Sequence, residues 1–175
     1  FFILAGNFLT HGGVAKRMIR FATAIVGHWH GGLALGGVLA CALFAAVSGS
    51  SPATVVAIGS ILLPAMVKQG YPMKFGVGVI GTAGALGILI PPSIVMVIYA
   101  VSTNSSIGRL FIAGIVPGLM LAGLLLLVTW VVAKKRNYPR MPRASLKEVW
   151  ASFRESVWGL FLIVVVIGGI YAGIF

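Results

Sequence analysis

The sequence predicts an all-α polytopic membrane protein, and three observations carry that prediction. Of 175 residues, 59% are hydrophobic and 9% charged, and the mean hydropathy is +1.09; no water-soluble domain of this length needs so much apolar surface. The apolar runs are continuous, whereas a transmembrane β-barrel would show short alternating segments. The charges are also segregated. Of thirteen Lys and Arg residues, three fall in 16–20, two in 68–74 and seven in 134–154, beside apolar segments, which is the pattern of positive charge kept on one side of a membrane. The net charge of +11 therefore points to anionic lipid headgroups. Nucleic acid is not the expected partner, because no basic face carries interleaved aromatics.

Residues 1–30 read as the end of a transmembrane helix followed by an interfacial arm. In "GGVAKRMIRFATAIVGH", 12–28, Lys16, Arg17 and Arg20 interleave with Val14, Met18, Ile19, Phe21 and Ile25 at the spacing of an amphipathic helix. Trp29 of "HWHGG" suits the headgroup level. The chain opens on "FFILAGNFLT" and closes on "VVVIGGIYAGIF", both inside hydrophobic runs, so an internal piece of a longer membrane protein is expected.

Residues 31–67 contain two apolar arms, 31–47 and 53–67, joined by "SGSSP". At the helical rise each arm spans about 22–26 Å, against roughly 30 Å of hydrocarbon. The joint is small and uncharged, unlike a loop emerging into water. A re-entrant helical hairpin with its tip at membrane depth is expected; two thin full spans are the alternative. Charge counting does not separate them, since both return the chain to the same side.

Residues 68–101 read as a discontinuous transmembrane helix. "GALGILIPPSIVMVIYA", 84–100, has Pro91 and Pro92 in its middle, and each proline removes an amide hydrogen and restricts the residue before it. Backbone groups freed in hydrocarbon are tolerated only where protein buries them or a cavity is lined. Residues 102–133 then give a polar turn, "STNSSIGR", and a clean span ending near Trp130. A basic loop follows at 134–156, including an amphipathic piece with Glu148, Trp150, Phe153 and Glu155, and residues 157–175 start the next span. In this topology twelve of the thirteen basic residues share one side and only Arg109 lies opposite.

The membrane-depth segments hold no Asp, Glu, Lys or Arg, which argues against an internal proton relay. They hold small hydroxyls beside broken backbone instead: Ser48, Ser50, Ser51 and Thr54 at the hairpin tip, and Ser93 at the proline break. Carbonyls freed at unwound helices suit hard cations such as sodium, and helix N-termini suit anions. Gly49 permits the turn, and Pro52 suits the start of the returning helix. The alternative is that these residues only permit close packing and a kink. Cys41 reads as a small core residue, Asn7 as an interhelical hydrogen-bonding group, and His28 and His30 as interfacial rather than metal ligands. "NSS" at 104–106 matches a glycosylation acceptor of relevance only in a eukaryotic secretory pathway. No nucleophile–base pair or phosphate loop can be assembled, so the chain is not expected to be an enzyme.

"FFILAGNFLTHGGVAKRMI", "ALFAAVSGSSPATVVAIGSILLPAM" and "GALGILIPPSIVMVIYA" resemble the large membrane subunit of tripartite ATP-independent periplasmic (TRAP) transporters. The resemblance is strongest through 1–100, weakens in 137–156, and is greatest to the branch carrying four-carbon dicarboxylates: succinate, malate and fumarate. It implies an elevator-type ion transporter fold of two inverted repeats, this chain holding most of the first. It further implies uptake driven by a sodium gradient, with sodium ions as coupling ions and no cofactor. The implied partners are a small membrane subunit and a periplasmic substrate-binding protein. Carried over by position, the sodium site would involve Ser48, Gly49, Ser50 and Ser51, with Gly87, Ile90, Pro91 and Pro92 opposite through backbone oxygens. Substrate carboxylate would meet Ser51, Thr54 and Ser93. Two departures stand out: the second hairpin and second broken helix are absent, and the turn "STNSSIGR" is shorter than in some relatives. A membrane-embedded assembly subunit without its own transport site is the rival reading.

Overall fold

The computed structural model describes residues 13–171; the expectations for 1–10, including Asn7, lie outside the described residues. Among the described residues the chain is helical throughout, with no strand. The polytopic all-α reading holds at this level.

Helix α1, Val14–Val26, buries Ala15, Met18, Ile19 and Ala22 and turns Lys16, Arg17 and Arg20 outward, the two-faced pattern its spacing predicts. It packs on α2, Gly32–Ser48. Fourteen of the 17 residues of α2 are buried, because a helix apolar on every face is stable only when surrounded. Around it lie α1, α3 (Ser51–Lys68), α4 (Met73–Gly84), α5 (Leu86–Leu89) and α7 (Ile107–Lys135). Phe44, Leu35, Ile58, Leu62, Met66 and Ile80 fill the core between them. Cys41 is fully buried there, as expected of a small apolar side chain.

The run after Met73 is interrupted twice. Met73–Leu89 and α6 (Ile94–Ser102) are bent by 41° across the prolines, as the sequence predicts. A second, slighter interruption at Ala85 separates α4 from α5. The helix α8, Leu146–Tyr171, runs unbroken from the amphipathic piece into the apolar run that follows. Its start is fixed by a capping box the sequence reading passed over in "SLKE": the Glu148 amide donates to Ser145 Oγ at 3.2 Å, and the Ser145 amide to Glu148 Oε2 at 2.9 Å. By length and composition α3 and α7 can each cross a membrane, and the bent pair together has the length and apolarity of a broken span or a re-entrant loop. On α7, Val116, Leu119, Met120, Leu124 and Val128 remain exposed, a face suited to lipid or to another apolar surface.

The loops on the basic side are tied together. The Met141 amide donates to Gly27 O at 3.0 Å, and the rings of Tyr71 and Phe75 stand 5.1 and 4.8 Å from that of Tyr138. The buried Tyr71 hydroxyl donates to Pro139 O at 3.1 Å. Burial pushes this phenol up to about 12. The neutral form is thus favoured in the folded state, and stability should fall as pH rises from about 10, the unfolded value, through that range. Tyr71→Phe keeps the ring and removes the hydrogen bond to Pro139 O. We expect a loss of about 1 kcal/mol and a weaker decline of stability at alkaline pH, both measured by thermal unfolding in detergent.

Candidate functional site

The tip of the α2–α3 hairpin meets the proline break, and the contact is made by main chain. Helix α2 ends in a left-handed cap at Gly49, with φ of 61°, and the Gly49 amide donates to Ala45 O at 2.8 Å. The Gly49 carbonyl then accepts the amide of Ile94, the first residue of α6, at 3.0 Å. A side chain at Gly49 would put a Cβ 2.5 Å from Pro92 O. One at Gly87 would put it 2.8 Å from Ser51 N and 2.9 Å from Ser50 C. The two irregular segments therefore touch backbone to backbone, at separations only glycine permits.

Within the tip, hydroxyls satisfy the turn. Thr54 Oγ1 donates to Ser50 O at 2.8 Å and lies 3.1 Å from Ser48 Oγ; Thr54 and Ser48 are almost fully buried. Ser50 and Ser51 are half-buried. The break is arranged differently. Ile90 ends α5, its amide donating to Leu86 O at 2.8 Å. Pro91, Pro92 and Ser93 are all buried, and the Pro91–Pro92 peptide is cis. Among the described residues the carbonyls of Ile90, Pro91 and Pro92 accept no main-chain hydrogen bond.

Ser93 occupies the position before the first turn of α6, where a serine hydroxyl ordinarily caps a free amide. It makes no such bond. Its hydroxyl is fully buried and has no hydrogen-bond partner among the described residues. Such a group costs about 1–3 kcal/mol, and buried polar atoms left alone are rare enough to need a reason.

The N-terminus of α3 and that of α6 thus open beside one another, in segments without a charged residue from 31 to 67 and from 75 to 108. Free amides and helix dipoles there offer positive potential to an anion. The unpaired carbonyls and hydroxyls offer oxygen to a hard cation. Gly49 approaches Pro92, and Gly87 approaches Ser50 and Ser51; Ser48 lies beside them in the tip, and Ile90, Pro91 and Ser93 follow in the break. Thr54 joins them, yet its hydroxyl is engaged inside the tip, and Gly87 contributes closeness of approach.

The sequence reading missed the third wall. Gly114, Gly118 and Ala122 form a small-residue stripe on α7. A Cβ at Gly114 would sit 2.8 Å from Leu89 O, and one at Gly118 would sit 3.1 Å from Ile90 Cγ1. The signal was present: "GIVPG", 114–118, has the glycine spacing that lets helices approach closely in membranes.

A family model described as the DctM component of the tripartite ATP-independent periplasmic transporter matches residues 1–175. The chain is 70% identical to the C4-dicarboxylate TRAP transporter large permease protein of Rhodobacter capsulatus, covering all of this chain and 43% of that protein. It is 42% identical to the 2,3-diketo-L-gulonate TRAP large permease of Escherichia coli K12, covering all of this chain and 41% of the relative. It is 45% identical to the isethionate TRAP permease protein DctMQ of Oleidesulfovibrio alaskensis, covering 99% of this chain and 28% of the relative. The chain thus spans less than half the length of each of these relatives. With a match from end to end, the chain belongs to the DctM component family of tripartite ATP-independent periplasmic transporters.

Proposed function

We propose that this chain is the part of a TRAP large permease that forms the first half of a sodium-coupled site for an organic acid. A four-carbon dicarboxylate is the proposed substrate, since the relative at 70% identity is named for that class. The observation that carries the reading is the buried hydroxyl of Ser93, without a partner among the described residues, at the mouth of a helix N-terminus, beside main-chain carbonyls that accept no main-chain hydrogen bond among the described residues. Bound sodium supplies positive charge near the incoming carboxylate. Each ligand then raises the other's affinity by the same factor, which is how a gradient of one drives the other.

The hairpin is read as re-entrant. Its tip meets the break, and the nine residues of α6 run on beyond it for about 13 Å, so the reversal falls short of the far face. A hairpin and broken helix moving together as an elevator, a second inverted repeat, a periplasmic binding protein and an inner-membrane location belong to the same proposal. So does a small membrane subunit, for which the fused name of the O. alaskensis relative speaks.

The test is uptake of labelled succinate by proteoliposomes holding the full-length subunit and its partners. An inward sodium gradient is expected to raise initial uptake at least about tenfold, a coupling of about 1.4 kcal/mol. Uptake indifferent to sodium would refute the coupling. Uptake confined to another acid would move the substrate and leave the site.

A further inference from the structure

On the basic side, far along α7 from the break, the chain forms a pocket of about 340 Å³ whose walls include Trp29, His30, Trp130, Lys134, Arg140 and Arg143. Three fixed cations line it, and no acidic residue does. The whole sequence has only two acids, Glu148 and Glu155. Both are engaged elsewhere, Glu155 with Arg20 at 2.9 Å and Glu148 in the cap of α8. No carboxylate of this chain is left to neutralise the pocket. The guanidinium of Arg140 contacts His30 Nε2. Loss of solvation, with Arg140 and then Lys134 nearby, lowers the pKa of His30.

The position specifies which anion. The pocket lies where α7, a 29-residue apolar helix, ends in Lys134 and Lys135. Lys134 Nζ stands 5.1 Å from the Trp130 ring, and Trp29 is half-exposed at the rim. Indole rings collect at the headgroup level of a bilayer, and basic pockets at helix ends hold anionic headgroups. Arg offers paired donors matched to phosphate oxygens. We propose that this pocket is a binding site for a phosphodiester anion, delivered as the headgroup of an anionic phospholipid, with Arg140, Arg143 and Lys134 as its donors and Trp29 and Trp130 seating the glycerol backbone. The site is separate from the tip and break, and transport is not its readout.

The test uses the full-length subunit in nanodiscs of equal phosphatidylglycerol and phosphatidylcholine, released and weighed by native mass spectrometry. The wild-type subunit should retain phosphatidylglycerol in preference to phosphatidylcholine. Each cation near an anionic headgroup contributes about fivefold, so Lys134→Gln/Arg140→Gln/Arg143→Gln should lower that preference on the order of 100-fold. Lys135→Gln/Arg136→Gln/Lys147→Gln removes the same charge outside the pocket and should change it by less than about fivefold. Arg140→Gln alone, the mildest variant, should give a partial loss. Equal retention of the two lipids by the wild-type subunit, equal loss in both triple variants, or displacement of the lipid by excess inorganic phosphate would each overturn the assignment.

Discussion

Replacing Gly49 by alanine is expected to destabilise the full-length subunit by about 2–4 kcal/mol and to abolish uptake. Two costs add. The residue sits at φ of 61°, where a Cβ costs roughly 1–2 kcal/mol. That Cβ would also fall 2.5 Å from Pro92 O, and a carbonyl fixed between two prolines and a helix start has no rotamer by which to withdraw. Relief requires the tip to leave the break, lengthening the bond from the Ile94 amide to Gly49 O. Gly87→Ala should behave alike, since its Cβ meets the backbone of Ser50 and Ser51 within 3.0 Å. Gly78→Ala is the matched control. It lies within α4 with nothing inside 4 Å of its Cβ, and alanine there should stabilise by up to about 1 kcal/mol. Thermal unfolding in detergent and succinate uptake check all three. If Gly49→Ala melts no lower than Gly78→Ala, the tip does not depend on the break.

The reasons these glycines matter were only partly legible in the sequence. The elements declared themselves through chemistry that acts locally: absent charge from 31 to 67 and from 75 to 108, two consecutive prolines, and basic residues gathered at the helix ends. Pro91 and Pro92 break a helix wherever it packs, so the 41° bend could be expected. The interruption at Ala85 could not. Beside it α4 packs against α3 so closely that a Cβ at Gly84 would lie 2.1 Å from Val55 Cγ2, a contact between residues distant in sequence. The site residues were likewise visible as a set but not in their individual roles. Ser48, Thr54 and Ser93 are alike as sequence letters, hydroxyls at membrane depth. Folding makes two of them mutual partners within the tip and leaves the third alone. Which hydroxyl stays free depends on where the neighbouring amides and carbonyls point, and no spacing rule encodes that. Helix α8 joins an amphipathic start to an apolar continuation, and the change of character near residue 157 does not end a helix whose cap lies at Ser145.

Ser93→Ala is expected to move stability and function in opposite directions. Alanine at the start of a helix ordinarily costs about 1 kcal/mol because a capping bond is lost, but Ser93 makes no such bond. The substitution removes a buried hydroxyl with no partner among the described residues at almost unchanged volume. The subunit should therefore gain about 1 kcal/mol of stability through the desolvation penalty no longer incurred. If that hydroxyl is held for an ion or a carboxylate, the same change removes one charge-assisted contact, and sodium-dependent succinate uptake should fall about tenfold or more. Thr54→Val supplies the contrast. It preserves shape but deletes the bond to Ser50 O and the contact with Ser48, so stability and uptake should fall together as the tip loosens. The rival reading, a membrane-embedded assembly subunit, predicts the stability gain in Ser93→Ala with uptake and sodium response untouched. A purely structural hydroxyl predicts that Ser93→Ala loses stability, as Thr54→Val does. Only a group kept unsatisfied for a ligand yields a subunit that is harder to unfold and poorer at transport, because the free energy withheld from the empty fold is the part released when the ligand arrives.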